Sequence, residues 1–600
     1  MRRTTDEQDK RARERAKERR LRRQERMRRQ GRAGGRRRGI SPVLVVVILI
    51  LIFGGAFGGR LLWDRYSYSS ETADLNAYFG ITDEQDVPVI LQDELSQVHA
   101  RLIDGVYYMD FNSVQTLLND RFYYGQNDSL VLYCLPTDMV STEIGSTQWS
   151  TTQGGTVTES YPLTRMEGDT LYLALDFVKQ YTNFSYEAFT EPNRMQIYTE
   201  WGDVTTAAIS KDTQVRISGG VKSTILTQIG AGSRIYVLEK MDTWSRIKTE
   251  DGFIGYVENK RLEDEATESL VPVTDYEEPS YTTIRLPGKV NMAWHSVAGT
   301  AGNDTLNGLL AQTQSINVIS PTWFVLSDNS GNIESYATEV YVEEVHGRDM
   351  QVWALVENFT NPNVDPNTVL TTLASRQNLI SQLISQCEQY GIDGINVDFE
   401  NIGEAYGQDY IEFIRELSIA CRNAGLVLSV SNYVPYNFNH YYELEEQGVW
   451  ADYIVVMGYD EHYAGSTEAG SVASLGYVEN GITSALRDVP AEKLINAIPF
   501  YARLWKTDSD GLSSQALGMQ EIQNFIAAHN MQVSWSEAAG QNYAETTEDG
   551  TLYQIWIEDA ESIAAKLSVM EANGIAGVAE WRLGFETADV WDVIAAYMAQ

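Results

Sequence analysis

Short apolar runs alternate with helical patterns through the second half of the chain, and this alternation limits the folds open to it. Eight strand-like runs follow Lys289, beginning with "KVNMAWHSV" and ending with "GIAGVAEWRLG". Helical patterns separate many of them, most clearly "NTVLTTLASRQNLISQLISQCEQYG" and "GQDYIEFIRELSIACRNAG". Gly391, Gly425 and Gly574 stand just past helix ends and just ahead of strands, as left-handed helix caps do. Strand and helix repeated eight times predict a (β/α)8 TIM barrel over residues 285–600.

An uncharged apolar segment near the N-terminus, "ISPVLVVVILILIFGGAFGG", is long enough to cross a hydrocarbon core of roughly 30 Å as a helix. Residues 1–39 before it hold eighteen Lys/Arg against six Asp/Glu, which orients that end to the cytoplasm. A cleaved signal peptide is the alternative, but the basic head is long and no A-x-A-like site follows before Arg60. We therefore predict a basic cytoplasmic tail at 1–39 and a single-pass membrane anchor at 40–63, with everything after it extracytoplasmic. The expected location is the cell membrane of a Gram-positive bacterium.

Composition excludes several other classes of protein. The net charge is −37 despite the basic head, and we expect that head to serve membrane orientation rather than nucleic-acid binding. The three cysteines, Cys134, Cys387 and Cys421, are too few and too widely spaced for a disulfide framework and predict buried thiols. The six histidines have no metal-ligand spacing and no Gly-rich phosphate loop is present, so no metal and no cofactor are expected.

The region between the anchor and the barrel contains two blocks with the same order of strands and helix. Ser67–Thr82 is polar and predicts a short stalk. The first block runs over Asp86–Tyr133 and the second over Gly168–Trp201. Together they resemble the two halves of the copper-amine-oxidase N-terminal-type domain, a small α+β module. The resemblance implies an α+β domain over 64–205 and brings no metal site with it.

A second small domain follows, made of short strand patterns separated by Gly-containing turns. Thr213–Glu263 resembles a bacterial SH3-like domain, with Trp244 in "WSRIKTEDGFIGYV" at the usual position. The resemblance implies a small all-β barrel over 206–262 and a cell-wall peptide as its partner, although many such modules serve only as spacers. The acidic segment 263–284 carries two prolines and predicts an extended linker.

The fourth strand-like run, "YGIDGINVDFENIG", has one apolar row and one polar row. Asn396, Asp398 and Glu400 form the polar row. A solvent-facing antiparallel strand would show the same alternation, but in a parallel barrel one row faces the helices and the other faces the lumen. The polar row then climbs toward the C-terminal rim, where barrel active sites lie. Because enclosed carboxylates are costly, this row predicts a functional site.

The same run carries a family resemblance. "DGINVDFE" matches the D-x-x-D-x-D-x-E signature of glycoside hydrolase family 18, which contains chitinases and related N-acetylglucosaminidases. "MGYD" on the sixth run and Trp581 on the eighth match further motifs of the family, closest to its spore and cell-wall peptidoglycan branch. The resemblance also implies that Gly518–Ser562 is the small α+β insertion that deepens the cleft in many members.

The resemblance assigns roles to particular residues. Glu400 is expected to be the general acid, and Asp398 to hold the substrate acetamido N–H and stabilise a positive oxazolinium. Tyr459 is expected to donate its hydroxyl to the acetamido carbonyl, and Trp581 to form the floor under the sugar. The further residues assigned to the substrate site are Asp393, Asn396, Met457, Asp460, Tyr433 and Tyr501, with Asp393 at the foot of the strand expected to buttress rather than react.

Asn396 departs from the family pattern, which has Asp at this position. An amide cannot share a proton with Asp398, so the usual coupled pair of carboxyls is lost. The amide is still expected to hydrogen-bond to Asp398 and orient it, with activity retained and an altered pH profile. Trp294 and Trp323 end the first two runs and either line sugar subsites or pack at the barrel rim.

These features together predict a membrane-anchored hydrolase that cleaves β-1,4 linkages of an N-acetylglucosamine-containing polymer with retention of configuration. Peptidoglycan is the favoured polymer and chitin-type oligosaccharides come second. The alternative is a catalytically weak or inactive, lectin-like wall-binding protein on the same barrel. The presence of Glu400, Asp398 and Tyr459 favours catalysis.

Overall fold

The computed structural model describes residues 13–22, 41–272 and 274–600. The predicted basic tail lies outside the described residues except for 13–22, which are helical. The chain divides into two compact units. One comprises the described residues up to Leu75 together with Thr205–Thr267, and the other comprises Asn76–Val204 with Glu268–Gln600.

The predicted membrane segment is a single helix, α1 (Pro42–Tyr66). Within it, Val43–Tyr66 is long and apolar enough to cross a membrane, and none of its most apolar stretch is buried by the rest of the protein. Among the described residues no other helix has this length and composition. Length and apolar composition are shared by signal sequences and anchors, so this helix is compatible with either.

Residues 76–204 form an α+β domain of two sheets with short helices. One sheet has the order β11-β12-β1-β2-β3-β10-β9, in which β1 and β12 are parallel, and the other is the antiparallel meander β4 to β8. The elements are α2 (Leu75–Phe79), β1 (Asp86–Leu91), β2 (Glu94–Ile103), β3 (Val106–Asp110), α3 (Phe111–Leu117), β4 (Phe122–Gly125), β5 (Leu130–Leu135), β6 (Asp138–Glu143), β7 (Gln148–Thr151), β8 (Thr156–Thr158), β9 (Thr164–Glu167), β10 (Thr170–Ala174), α4 (Leu175–Val178), β11 (Ser185–Phe189) and β12 (Arg194–Tyr198).

The SH3-like region is a seven-stranded sheet of order β15-β14-β18-β17-β16-β13-β19. Its strands are β13 (Asp203–Ile209), β14 (Thr213–Arg216), β15 (Ile225–Ile229), β16 (Arg234–Lys240), β17 (Trp244–Thr249), β18 (Ile254–Glu258) and β19 (Leu262–Ser269). The start of the predicted linker is therefore strand β19. Its acidic sequence reads like a linker because an edge strand tolerates charged, exposed side chains.

The predicted stalk is also partly ordered by this sheet. Ile225 of β15 donates its backbone N–H to Glu71 O and accepts from Ala73 N, both at 2.8 Å. Thr72 forms a parallel bridge with the same residue. An unpaired strand edge offers backbone donors and acceptors that a polar segment can satisfy, so this part of the stalk joins the sheet.

From residue 290 onward the chain forms the predicted TIM barrel, with helices around a ring of parallel strands. The strands are β20 (Val290–His295), β21 (Val318–Leu326), β22 (Ile333–Ser335), β23 (Gln351–Glu357), β24 (Gly394–Asp398), β25 (Val427–Tyr433), β26 (Tyr453–Met457), β27 (Leu494–Pro499), β28 (Tyr501–Asp508), β29 (Gly511–Gly518), β30 (Gln532–Ser536), β31 (Gln541–Glu548), β32 (Thr551–Ile557) and β33 (Gly577–Trp581). The helices are α5 (Leu306–Leu310), α6 (Glu339–His346), α7 (Pro366–Leu370), α8 (Leu373–Tyr390), α9 (Gly407–Ala424), α10 (Leu444–Trp450), α11 (Leu475–Ala485), α12 (Met519–Ala528), α13 (Ala560–Asn573) and α14 (Val590–Met598).

Eight of these strands close the barrel. The order runs β20-β33-β27-β26-β25-β24-β23-β21, and β20 pairs in parallel with β21 to complete the ring. All eight predicted runs contribute a strand, which confirms the sequence-based prediction. Gly391, Gly425 and Gly574 end α8, α9 and α13 with φ of 70°, 72° and 62°, a conformation that glycine adopts without steric cost.

The two rows of β24 face as predicted. Ile395, Val397 and Phe399 are at most 1% exposed and pack in the core between strands and helices. The lumen has its own apolar core, in which Trp353 and Tyr453 stack with ring centroids 5.2 Å apart. The polar row lies above this apolar core, in the upper part of the lumen toward the C-terminal rim.

The insertion between the seventh and eighth strands is α+β, as predicted, but begins earlier. It starts at Tyr501 rather than Gly518 and forms a five-stranded sheet of order β29-β28-β32-β31-β30, with α12 against it. The sequence "PFYARLW" continues the seventh strand without a turn signal, and only Phe500 separates β27 from β28. This continuity explains why the boundary is not visible in the sequence.

The α+β domain of residues 76–204 packs on the barrel through one ion pair and through a hydrogen bond to a buried ion pair of the barrel. Arg121 Nε lies 2.9 Å from Glu446 Oε1 on α10, and Arg376 of α8 pairs with Glu416 of α9 at 2.8 Å with both side chains fully buried. Tyr123 of the domain accepts a hydrogen bond from Arg376 Nη1 at 3.3 Å. A strand of the small domain therefore covers a charged pair on the outer surface of the barrel.

Candidate active site

Glu400 lies on the rim, two residues beyond the end of β24. The side chain of Asn358 makes two hydrogen bonds to the backbone of Glu400. Asn358 Nδ2 donates to Glu400 O at 2.8 Å, and Glu400 N donates to Asn358 Oδ1 at 2.9 Å. Tyr433 at the end of β25 donates its hydroxyl to Glu400 Oε2 at 2.8 Å. Adjacent strand ends thus fix both the backbone and the carboxyl group of Glu400.

The surroundings of Glu400 favour its protonated form. Burial raises the pKa of Glu400, and the negative charges of Asp460 and Glu357 raise it further. The hydrogen bond from Tyr433 works in the opposite direction, because it stabilises the carboxylate. The net result is a raised pKa, which is what a general acid working near neutral pH needs.

Asp398 is the last residue of β24 and lies in the lumen below Glu400. It is 7% exposed, and its Oδ1 atom is buried without a hydrogen-bond partner among the described residues. Burial raises its pKa well above the usual value, followed by the charges of Glu400 and Glu357. A buried acceptor with no partner is expensive, so this oxygen is suited to a ligand N–H that arrives with the substrate.

Glu357 is a third carboxyl group at this level and is not among the site residues predicted from the sequence. It is the last residue of β23 and the register partner of Asp398 on β24. Its Oε2 accepts from the backbone N–H groups of Phe359 and Thr360 at 2.6 and 2.8 Å, while Oε1 is buried without a partner. The sequence feature that could have indicated Glu357 is a single acidic residue at the end of an otherwise apolar strand, "VWALVEN", which precedes β24 in the chain.

Tyr459 faces Asp398 and Glu400 from the next but one strand. Burial raises the pKa of its hydroxyl well above the usual value, and the charges of Asp398 and Glu400 contribute in the same direction. No group of the described residues accepts its hydroxyl proton. Its ring makes a T-shaped contact with Tyr501 at 6.3 Å, and Tyr501 donates its hydroxyl to Asp460 Oδ1 at 2.6 Å. The Tyr459 hydroxyl is therefore held in position and free to donate to a substrate.

Trp581 closes the eighth strand and provides an apolar surface beside these polar groups. Its side chain is half-buried, and its ring meets Trp294 in a T-shaped contact at 5.8 Å. Met457 at the end of β26 is 8% exposed. Among the described residues no group of three or more His, Cys, Asp or Glu side chains is placed to hold a metal ion. The arrangement is an acid, a buried carboxyl and a tyrosine hydroxyl beside an indole ring.

Comparison with known proteins agrees with this geometry. The family model described as "Glycosyl hydrolases family 18" matches residues 358–586, and the model described as "Bacterial SH3 domain" matches 211–263. The chain carries a family 18 glycosyl hydrolase domain. The barrel is accordingly a glycosidase domain, and the predicted SH3-like region is confirmed.

Curated relatives of the family 18 domain are distant in sequence. An uncharacterized glycosylase, YvbX, of Bacillus subtilis (strain 168) is 24% identical over 322 residues, which are 51% of this chain and 92% of the relative. A cortical fragment-lytic enzyme of Bacillus anthracis is 23% identical over 253 residues, 40% of this chain and 58% of the relative. The crystal structure of a chitinase from Chromobacterium violaceum, 24% identical, covers 52% of this chain and 99% of its own, with a TM-score of 0.47.

Asn396 occupies a different place from the one predicted for it in the family 18 site. It is fully buried, and its amide donates to Ser429 Oγ at 3.0 Å and Ser431 Oγ at 3.2 Å. Its carbonyl oxygen accepts from Trp294 Nε1 at 3.0 Å. Both amide protons are used by serines, so Asn396 does not orient Asp398 as predicted. It lies beneath the site, because its alternating position in β24 faces the lumen one layer lower. There it holds Trp294, whose ring contacts that of Trp581.

The positions of three further residues bear on their expected roles. Asp393, grouped with the substrate residues, lies at the opposite end of the barrel, where it accepts from Val352 N and pairs with His346 Nε2, both at 2.8 Å. It buttresses the foot of the strand. Trp294 and Trp323 are 1% and 0% exposed, which favours the packing alternative for both of them.

Proposed function

We propose that the protein is a membrane-anchored, extracytoplasmic enzyme that hydrolyses β-1,4 linkages on the reducing side of N-acetylglucosamine by a substrate-assisted retaining mechanism. The observation that carries this proposal is the convergence of Glu400, Asp398 and Tyr459 on one buried site at the barrel rim. Beyond the effect of burial, the charge of Glu400 raises the pKa of Asp398, and the charges of both carboxyl groups raise the pKa of Tyr459. Each group has a different role in that reaction.

In the first step Glu400 transfers its proton to the glycosidic oxygen, and the bond from that oxygen to the anomeric carbon breaks. The substrate's own acetamido oxygen attacks the anomeric carbon, and a positively charged oxazolinium forms. Asp398 accepts the acetamido N–H and balances the positive charge. Tyr459 donates its hydroxyl to the acetamido oxygen and aligns it for attack.

In the second step a water molecule opens the oxazolinium at the anomeric carbon. Glu400, now a carboxylate, accepts a proton from this water and returns to its starting state. Two inversions at one carbon give net retention. Trp581 keeps the sugar against an apolar face, which limits other water molecules reaching the intermediate.

Peptidoglycan is the favoured substrate. The bacterial SH3 domain at 211–263 is of a kind that suits binding to wall peptide, and the apolar helix α1 suits attachment beside the wall. Relatives named as cortical fragment-lytic enzymes support the same choice. Chitin-type oligosaccharides are the second candidate, since both polymers present N-acetylglucosamine in β-1,4 linkage.

The deciding experiment is incubation of the chain, solubilised in detergent, with purified peptidoglycan and separately with chitin oligomers. New reducing ends are labelled by borohydride reduction and identified by mass spectrometry. We expect muropeptides with reducing-end N-acetylglucosamine, whereas reducing-end N-acetylmuramic acid would contradict the bond assignment. No products from either polymer would favour the lectin-like alternative, and Glu400→Gln controls for contaminating hydrolases.

Asn396→Asp is expected to move the acid limb of the kcat/KM profile to higher pH by about one unit, because a second buried carboxyl would compete with Asp398 for ionisation. The acid limb reports a group that must be ionised, here Asp398. The measurement is kcat/KM against pH with a soluble chromogenic N-acetylglucosamine oligomer. Asn396→Ser removes the amide without adding a charge and serves as control. An unmoved acid limb in the Asp variant would contradict coupling between the two positions.

A further inference from the structure

Besides the candidate active site, the protein has a cavity between the α+β domain and the barrel, and none of the proposed catalytic residues lines it. Its volume is about 540 Å³, within the range of small-molecule sites. We call it the junction groove and define it by six of its lining residues. These are Phe111, Gln115, Tyr124 and Asn127 of the α+β domain with Tyr406 and Gln408 of the barrel.

The barrel wall of the junction groove lies at the catalytic end of the barrel. In a (β/α)8 barrel the helices begin at the rim where the strands end. The barrel wall of the groove contains Thr371, just before α8, and Tyr406, just before α9. Tyr406 follows Glu400 by six residues, and a chain of that length spans at most about 20 Å. One extended polymer can therefore reach both places.

The lining chemistry fits a neutral sugar chain. The rings of Phe111, Tyr124 and Tyr406 are half-buried, so part of each ring faces the cavity. Amide and carboxylate side chains supply most of the remaining lining, and none of the lining residues is Lys, Arg or His. Flat rings match the apolar faces of pyranose sugars, and amides match hydroxyl and acetamido groups. An anionic ligand would meet only acidic and neutral groups, which disfavours it.

The walls of the groove are held in place without a ligand. Asn127 Nδ2 donates to Thr371 O at 3.2 Å, and Leu373 N donates to Asp128 Oδ2 at 2.7 Å. Tyr123, on the strand that carries Tyr124, donates its hydroxyl to Asp409 at the start of α9. Both walls are thus joined to each other, so little ordering has to accompany binding.

We propose that the junction groove binds a distal stretch of the glycan strand that is cut at Glu400, so that the α+β domain extends the substrate cleft. The choice of an N-acetylglucosamine-containing strand rests on the proposed function, whereas the neutral-sugar class rests on the lining alone. The α+β domain then selects for polymer length, since short oligosaccharides fill the catalytic site without reaching the groove.

The test compares long and short substrates in the full chain solubilised in detergent. Tyr124→Ala combined with Tyr406→Ala is expected to lower kcat/KM on glycan polymer about tenfold. On a chromogenic oligosaccharide kcat/KM is expected to stay within about twofold. Tyr406→Phe keeps the ring and is expected to behave as wild type. Tyr107→Ala, a half-buried tyrosine of the same domain outside the groove, is the matched control.

Binding is measured independently of catalysis by co-sedimentation with insoluble chitin, which lacks the peptide that the SH3 domain would bind, in the Glu400→Gln background. The groove variants are expected to bind about tenfold more weakly than that background. Equal binding, equal effects on long and short substrates, or no binding by the background would overturn the groove proposal. Weakened binding in a chain that hydrolyses neither polymer would instead retain the groove and reject the proposed function.

Discussion

Glu400→Gln is expected to lower kcat on N-acetylglucosamine polymers by about 10³-fold while leaving the fold intact. The amide keeps the size of the side chain and an acceptor for Tyr433, but it cannot supply the proton that the leaving sugar needs. The loss is measured as initial rates of reducing-end formation, with circular dichroism and the melting temperature as checks on folding. A loss below about tenfold would remove Glu400 from the role of general acid.

The leaving group and the pH profile separate this role from a structural one. A 4-nitrophenyl leaving group needs little protonation, so its release should fall less than cleavage of the polymer. Activity requires protonated Glu400 and is lost as pH rises through its pKa, which burial raises from the ordinary value of 4.5. Tyr433→Phe removes the bond that favours the carboxylate, and we expect the basic limb to move to still higher pH. A limb that moves to lower pH would contradict this assignment.

The barrel and the central acids could be predicted because they follow local patterns. Strand and helix periodicity identified all eight strands, and the alternation in β24 placed Asp398 and Glu400 on the lumen side. Once parallel strands close into a ring, the ends of those strands must meet at one rim. The sequence of β24 thus indicated both that the segment is a strand and where its acidic residues lie in the barrel.

What escaped prediction depends on pairing between distant segments. Glu357 reaches the site only because β23 lies beside β24 in register, and Asn358 brackets Glu400 from 42 residues away. The sequence predicted a hydrogen bond between Asn396 and Asp398, but two serines of β25 accept both amide protons of Asn396. These bonds follow from three-dimensional packing, which one strand's alternation does not encode.

Arg376→Met is expected to lower the melting temperature of the transition that includes the barrel by about 5 °C or more. Arg376 bonds Glu416 Oε1 through Nε and Nη2 at 2.9 and 2.8 Å, with both side chains fully buried beneath Tyr123. Removing the guanidinium leaves a buried carboxylate whose one remaining hydrogen-bond donor among the described residues is Gln377, at a cost of about 3–5 kcal/mol. Differential scanning calorimetry measures the shift.

Two comparisons identify the unpaired charge as the cause. Arg376→Met with Glu416→Gln removes both charges, and we expect it to recover more than half of the loss. Arg348→Met breaks an exposed pair with Glu344 and should change stability by less than about 1 kcal/mol.

The pH dependence of the loss gives a third comparison. Burial raises the pKa of Glu416, and Arg376 counteracts that rise. Without Arg376 the folded pKa lies further above the unfolded one, so stability is lost as pH rises through it. The deficit of the single variant should therefore grow from pH 5 to pH 8, and a deficit independent of pH would show that lost packing, rather than the stranded carboxylate, destabilises the barrel.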